Sequence, residues 1–137
     1  DRICFGLPHP GWPLVTAAKD TQKMIKNSTS NAEHYKWGEN CDGWHLLKRD
    51  DVSVIQELVP PGQAEVNHLH NVSRQFFYIL AGTGTMRVGE ETIILSSGEC
   101  LEIPPGTAHQ FRNDSGADVS FLVISTPKSH GDRINLD

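Results

Sequence analysis

The chain has 137 residues, of which 37% are hydrophobic and 21% charged, and a formal net charge of −5. That size and balance describe one ordinary globular domain with a single core, and exclude a disordered chain. No basic cluster stands against the acidic balance, so nucleic acid is not an expected partner, and no apolar run reaches the length of a membrane span.

Residues 1–15 hold three prolines and two glycines between Gly6 and Pro13, a composition that forbids helix and central strand alike and predicts an extended arm. Phe5, Leu7 and Trp12 give that arm apolar anchors for a surface, its own or a neighbour's. Asp20 is placed to cap a short helix over the following TQKMIKN, ended by the polar NSTSN run. From Ala32 to Leu47 the chain reads as two short aromatic strands around a glycine-bounded turn, with Tyr35, Trp37, Trp44 and His45 beside it. Such aromatics serve core and interface packing, or form the wall or lid of a ligand pocket. His34 and His45 have no partner at ligand spacing.

After the charged turn at 48–51, VSVIQELV is a strand stopped by Pro60-Pro61-Gly62. From there to Val123 short strands alternate with turn residues: EVNHLH, QFFYILAG, GTMRVG, ETIILSSG, CLEIPPG, AHQFRN and VSFLVIS. Many short strands with Gly and Pro punctuation and little helix predict an all-β antiparallel sandwich or barrel. Successive side chains alternate faces, so Val66, His68 and His70 are expected on one side. Gln75, Phe77 and Ile79 share one face of the next strand, and Phe76, Tyr78 and Leu80 the other. Both faces are apolar, whereas a small barrel has one interior, which predicts a second subunit against the outer set: a homodimer.

A paired His-x-His with a distant third histidine, His109, is a pattern for a metal site, and Gln75 offers a further oxygen donor five residues after His70. Cys4, Cys41 and Cys100 are an odd count without CxxC spacing, which argues against a disulfide framework and a zinc knuckle. With no charged-then-apolar leader pattern at the start, free thiols and a cytoplasmic location are expected. Asn-x-Ser/Thr triplets at Asn27, Asn71 and Asn113 read as chance, since a glycan at the last two would block the histidine site.

The spacing Gly62-x5-His68-x-His70-x4-Gln75-x6-Gly82 resembles the first motif of the cupin superfamily, with glutamine where that motif has glutamate. Gly98-x5-Pro104-x-Gly106-x2-His109-x3-Asn113 matches the second motif without departure, fifteen residues further on. The resemblance covers about the last two thirds of the chain and is to small single-domain cupins. It implies an antiparallel jelly-roll barrel at 48–127; the arm and aromatic hairpin at 1–47 lie outside the resemblance and are expected to pack on the barrel or a partner subunit, with a tail following at 128–137. The resemblance also implies one divalent transition metal (Fe, Mn, Ni, Zn or Co) ligated by His68, His70, position 75 and His109, with Asn113 stabilising a turn and the motif glycines making tight corners.

Gln75 is neutral and a weaker donor than a carboxylate. A divalent site with three histidines and Gln75 keeps a formal +2, which favours an anionic small-molecule ligand and the lower oxidation state. The expected function is a metal-dependent enzyme acting on a small carbonyl or carboxylate compound by isomerase or lyase chemistry, or as a dioxygenase. The alternative is a metal-dependent binding module without catalysis. A third possibility is an auxiliary structural dimer with a vestigial metal, against which the intact histidine set counts. No catalytic residue is assigned; Tyr78, Glu102, His45 and Cys100 are candidates for acid or base by type only, and Arg87 and Arg112 are of a type to grip a substrate carboxylate but by alternation are expected to face solvent. The tail from Ser125 reads as a solvated terminus; folded over a barrel mouth, it would lend Arg133 or His130 to the pocket.

Overall fold

The computed structural model describes residues 10–11 and 24–136. Among them lie eleven strands and no helix: β1 (Glu33–Trp37), β2 (Cys41–Lys48), β3 (Ser53–Val59), β4 (His68–Leu69), β5 (Arg74–Ala81), β6 (Thr83–Val88), β7 (Glu91–Ser96), β8 (Cys100–Ile103), β9 (His109–Arg112), β10 (Val119–Thr126) and β11 (Ile134–Asn135). They form an antiparallel jelly roll of two sheets, ordered β1-β2-β3-β10-β5-β8 and β11-β4-β9-β6-β7. The sheets share no strand, so hydrogen bonds do not close them into a continuous barrel.

The core lies between the inner faces. Along β5 and β10 burial alternates strictly, so Phe77, Ile79, Phe121 and Val123 point inward together. Phe111 enters from the opposite sheet and lies 4.1 Å from the Phe121 ring, with Phe77 beside both. Burying an aromatic of this size contributes roughly 1.5–3 kcal/mol. The rings pack on one another between the sheets, and Phe77 also borders the cavity described below.

The aromatic hairpin forms as expected, and β2 pairs with β3, so it extends the larger sheet. Tyr35, Gly43 and Glu57 are consecutive partners across β1, β2 and β3 on the inner face; His34, Trp44 and Gln56 are partners on the outer face. Alternation therefore splits the aromatics, sending Tyr35 and His45 toward the cavity and Trp44 outward against His34, 5.2 Å away.

Three expectations change. The short helix after Asp20 falls partly on residues outside those described, but Met24–Asn27 are described and carry no helix. Met24 and Ile25 are 86% and 77% exposed, so this segment has no buried face to offset the cost of starting a helix. Val66 does not share the buried side of His68 and His70, because the regular strand begins only at His68; Val66 is exposed and its carbonyl turns back toward the His68 ring. The C-terminal segment is not simply solvated: β11 pairs with β4 at Ile134–Leu69 and Asn135–His68. The arm's anchors Phe5, Leu7 and Trp12 lie outside the described residues.

Candidate metal centre

His68 and His109 are direct cross-strand partners on β4 and β9, and their rings stand 4.3 Å apart. His70 follows β4, two residues beyond His68. The second turn, Pro104 to Thr107, aims His109: Gly106 has φ of +77°, where only glycine is unstrained, and its N–H donates to the His70 carbonyl at 2.6 Å. The turn before the third histidine is thus tied to the loop that carries the second. All three rings are buried, and their ligating atoms lie within 4.8 Å of one another.

Each ring uses Nδ1 in the same way. His68 Nδ1 meets the Val66 carbonyl at 2.7 Å, His109 Nδ1 the Thr107 carbonyl at 2.9 Å, and His70 Nδ1 the Asp132 carbonyl at 2.6 Å. A carbonyl only accepts, so each Nδ1 carries the proton and each Nε2 is left with a lone pair. Burial holds the rings neutral, pushing His68 down to about 3 and His109 to about 4, and lowering His70 as well. His70 Nε2 is buried without a partner.

Gln75 completes the cluster from β5. Its amide N–H donates to Ser125 Oγ on β10 at 3.1 Å, which turns Oε1 toward His109 Nε2 at 3.0 Å. With the proton on Nδ1, that contact sets two lone pairs facing each other. Such an arrangement is satisfied by a cation, and three neutral imidazoles with an amide oxygen suit a divalent transition metal. The three histidines can hold one.

The tail supports this centre. The Asp132 carboxylate accepts from the backbone N–H groups of Asn71, Val72 and Ser73 at 3.0, 2.9 and 2.8 Å, which keeps its carboxyl below the usual range. Leu136 N–H donates to the Asn67 carbonyl at 2.7 Å. Asp132 carries no motif, and the only sequence hint was the possibility that the tail folds over the mouth. Asn113 is structural: its amide donates to the carbonyls of Val59 and Ala117 and accepts from Ser115.

A cavity of about 750 Å³ opens beside His68, His70 and Gln75; His109 lies fully buried behind them. Its rim carries Lys48, Arg49, Lys128 and Arg133, and its far wall carries Tyr35, His45, Ile55 and Glu57. Of the four acid–base candidates by type, only His45 borders it. Tyr78 and Cys100 are exposed, and Glu102 pairs with Arg74 at 3.2 Å on the surface. Arg87 bonds to the Gly89 carbonyl and Arg112 to Asp114, away from the cavity.

Sequence reading missed two acidic residues here. Glu57, on the inward phase of β3, is pushed up to about 8, first by burial and then by the charge of Glu65. Glu65 is pushed up to about 7 by burial, although its carboxylate accepts the Phe111 N–H at 3.0 Å. The readable signal was a charged residue in the buried phase of a strand: Ser53, Ile55, Glu57, Val59.

A family model for the cupin domain matches residues 55–125. An uncharacterized protein of Methanocaldococcus jannaschii is 33% identical over 118 residues, covering 82% of this chain and 94% of that protein. Quercetin 2,3-dioxygenase of Bacillus subtilis is 36% identical over 77 residues, covering 56% of this chain but only 21% of the dioxygenase. The polyketide cyclase RemF from Streptomyces resistomycificus superposes with a TM-score of 0.74, covering 84% of this chain and 87% of that chain at 18% identity; at that identity the likeness is one of fold.

Proposed function

The chain belongs to the cupin family, and from that premise we propose that it is a metal-dependent enzyme acting on a small carbonyl- or carboxylate-bearing compound. His68, His70 and His109 hold one divalent transition metal through Nε2, and the Gln75 amide oxygen is the fourth donor. The observation that carries this reading is the common Nδ1-to-carbonyl bonding, which leaves three Nε2 lone pairs on rings whose ligating atoms lie within 4.8 Å of one another, with Gln75 Oε1 3.0 Å from His109 Nε2. The ion supplies Lewis-acid activation of a substrate oxygen.

The donors are all neutral, so the site keeps the full divalent charge, and Arg49 and Arg133 stand at the cavity rim beside Lys48 and Lys128, which are paired with Glu33 and Asp50. Both features favour an anionic or strongly polarised guest. The same neutrality disfavours high oxidation states, so isomerase or lyase chemistry is preferred over dioxygenation. A second reading, a non-catalytic binding module, is favoured by one feature: among the described residues, no acid or base side chain hydrogen-bonds to the three histidine rings.

The outer face of the larger sheet supports a homodimer. Phe76, Ile124 and Val54 are consecutive cross-strand partners there, as are Tyr78, Leu122 and Gln56. Phe76, Tyr78 and Leu80 are each more than a third exposed, an apolar surface suited to a second copy. A cytoplasmic setting is part of the same proposal, with Cys41 and Cys100, the two cysteines among the described residues, as free thiols. No helix among the described residues is long and apolar enough to cross a membrane.

The test has two stages. Protein purified without chelator or affinity nickel is analysed for metal beside His109→Ala; the wild type retains a divalent metal and the variant loses most of it, whereas equal content removes the site. The metal-loaded protein is then offered diketones, flavonols and uronates with and without oxygen. Turnover that ignores oxygen supports the isomerase or lyase reading, turnover that requires it supports dioxygenation, and turnover of none leaves the binding module.

A further inference from the structure

We infer that Glu57 is the proton-transferring residue of this cavity and that Tyr35 is its positioning residue; this rests on the non-redox enzyme reading above. Glu57 borders the same cavity as His68, His70 and Gln75 and also lines a second, smaller one of about 330 Å³ beside it. It therefore stands at the junction of the two spaces. Among the described residues it makes no ion pair, so its carboxyl is not committed to a structural cation.

Its side-chain hydrogen bond comes from the neighbouring hairpin. Tyr35 donates its hydroxyl proton to Glu57 Oε1 at 3.3 Å. The phenol reaches across β2 because position 43, between them in the ladder, is glycine. A Cβ at Gly43 would overlap the Tyr35 ring. The hairpin thus delivers a phenol to one carboxyl oxygen, leaving the other for a guest.

Glu65 is the rival and is placed differently. Its Oε1 accepts the Phe111 backbone N–H, which ties it to β9 as a structural group. The groups that face Glu57 are Tyr35 from β1, Glu65 from the segment before β4, and Arg133 ahead of β11. Burial and Glu65 raise its affinity for a proton, and Tyr35 and Arg133 lower it. The balance leaves a carboxyl able to change state near neutral pH, the property a general acid–base needs.

The step is a proton relocation. Glu57 takes a proton from a carbon next to the substrate carbonyl, the electron pair of that C–H bond stays on the substrate, and Glu57 returns the proton to another atom of the same molecule. Nothing is oxidised, and no co-reactant is consumed.

The test uses metal-loaded full chain in heavy water, with galacturonate and dihydroxyacetone as probes and proton NMR to follow exchange next to the carbonyl. Glu57→Gln should keep its metal content and lose exchange by at least about 100-fold. Glu65→Gln should retain exchange if it folds. Tyr35→Phe removes a bond that favours the carboxylate, so the rising limb of its pH profile should move to higher pH, a change that loosened packing alone does not produce. Undiminished exchange in Glu57→Gln, or loss of its metal, overturns the assignment. Absence of exchange in the wild type with metal present overturns the enzyme reading beneath it.

Discussion

The two walls of the cavity are made by different means. On the metal side, His68 and His109 are oriented by carbonyl groups only two residues before them, so their geometry is a property of short turns with fixed spacing. On the opposite side, Tyr35, Gly43 and Glu57 come from three strands and meet only through sheet register. The first kind of wall survives as a motif because the local backbone dictates it. The second is a matter of alternation, where each position is an ordinary strand residue until the ladder is known.

His70 breaks that division, and this gives the largest effect to look for. Its Nδ1 partner is the carbonyl of Asp132, 62 residues away, and the Asp132 carboxylate holds the three amides that follow His70. Asp132→Ala should therefore lower metal affinity about 10- to 100-fold, the usual cost of losing an outer-shell support. Competition with a chromophoric chelator measures it, with circular dichroism as the check on folding. An unchanged affinity would mean that the metal side is locally self-sufficient after all.

This contrast also explains what the sequence displayed. The two long motifs with Gly62, Gly82, Gly98 and Gly106 led to the antiparallel jelly roll and the histidine set, and strand alternation led to the shared face of Gln75, Phe77 and Ile79. Asp132 and β11 were not legible, because a single carboxylate and a two-residue strand leave no periodicity. Glu57 was legible in principle, as a charge among inward-facing residues of β3, and was passed over because strand β3 was read only for its apolar positions. The helix after Asp20 was expected from capping and composition, yet Met24 and Ile25 find no core to cover.

Gly43 sharpens the comparison from the other side. If the far wall depends on register and clearance alone, Gly43→Ala should displace the Tyr35 ring from its place over β2. The expected loss is about 1–3 kcal/mol of stability, the usual range for overpacking, with metal content unchanged because no residue of the metal cluster is a cross-strand partner in this ladder. Urea unfolding and elemental analysis together decide it. Loss of metal in this variant would show that the two walls are mechanically coupled.

The smallest effect separates the walls by the direction in which pH weakens them. In metal-free protein, His68 and His109 are held near 3 and 4, below the ordinary value of about 6.5. Their contribution is complete above that value and is lost as pH falls toward the folded-state values, because the unfolded chain then binds protons the native state refuses. Glu57 and Glu65 are raised to about 8 and about 7, above the ordinary carboxyl value of about 4.3. Theirs is complete below that value and is lost as pH rises through the folded-state values. The opposing slopes overlap between the ordinary carboxyl and imidazole values, giving a stability profile with a broad top that falls on both sides. On the alkaline side the two raised carboxyls act, Glu57 on the far wall and Glu65 where it is tied to β9, so wild type should lose on the order of 1–2 kcal/mol between about pH 6.5 and 8, while Glu57→Gln should lose distinctly less. Urea midpoints across that range measure the difference. Parallel profiles would mean that Glu57 is already ionised at neutrality, and the carboxyl wall would then differ from the histidine wall in position but not in its response to protons.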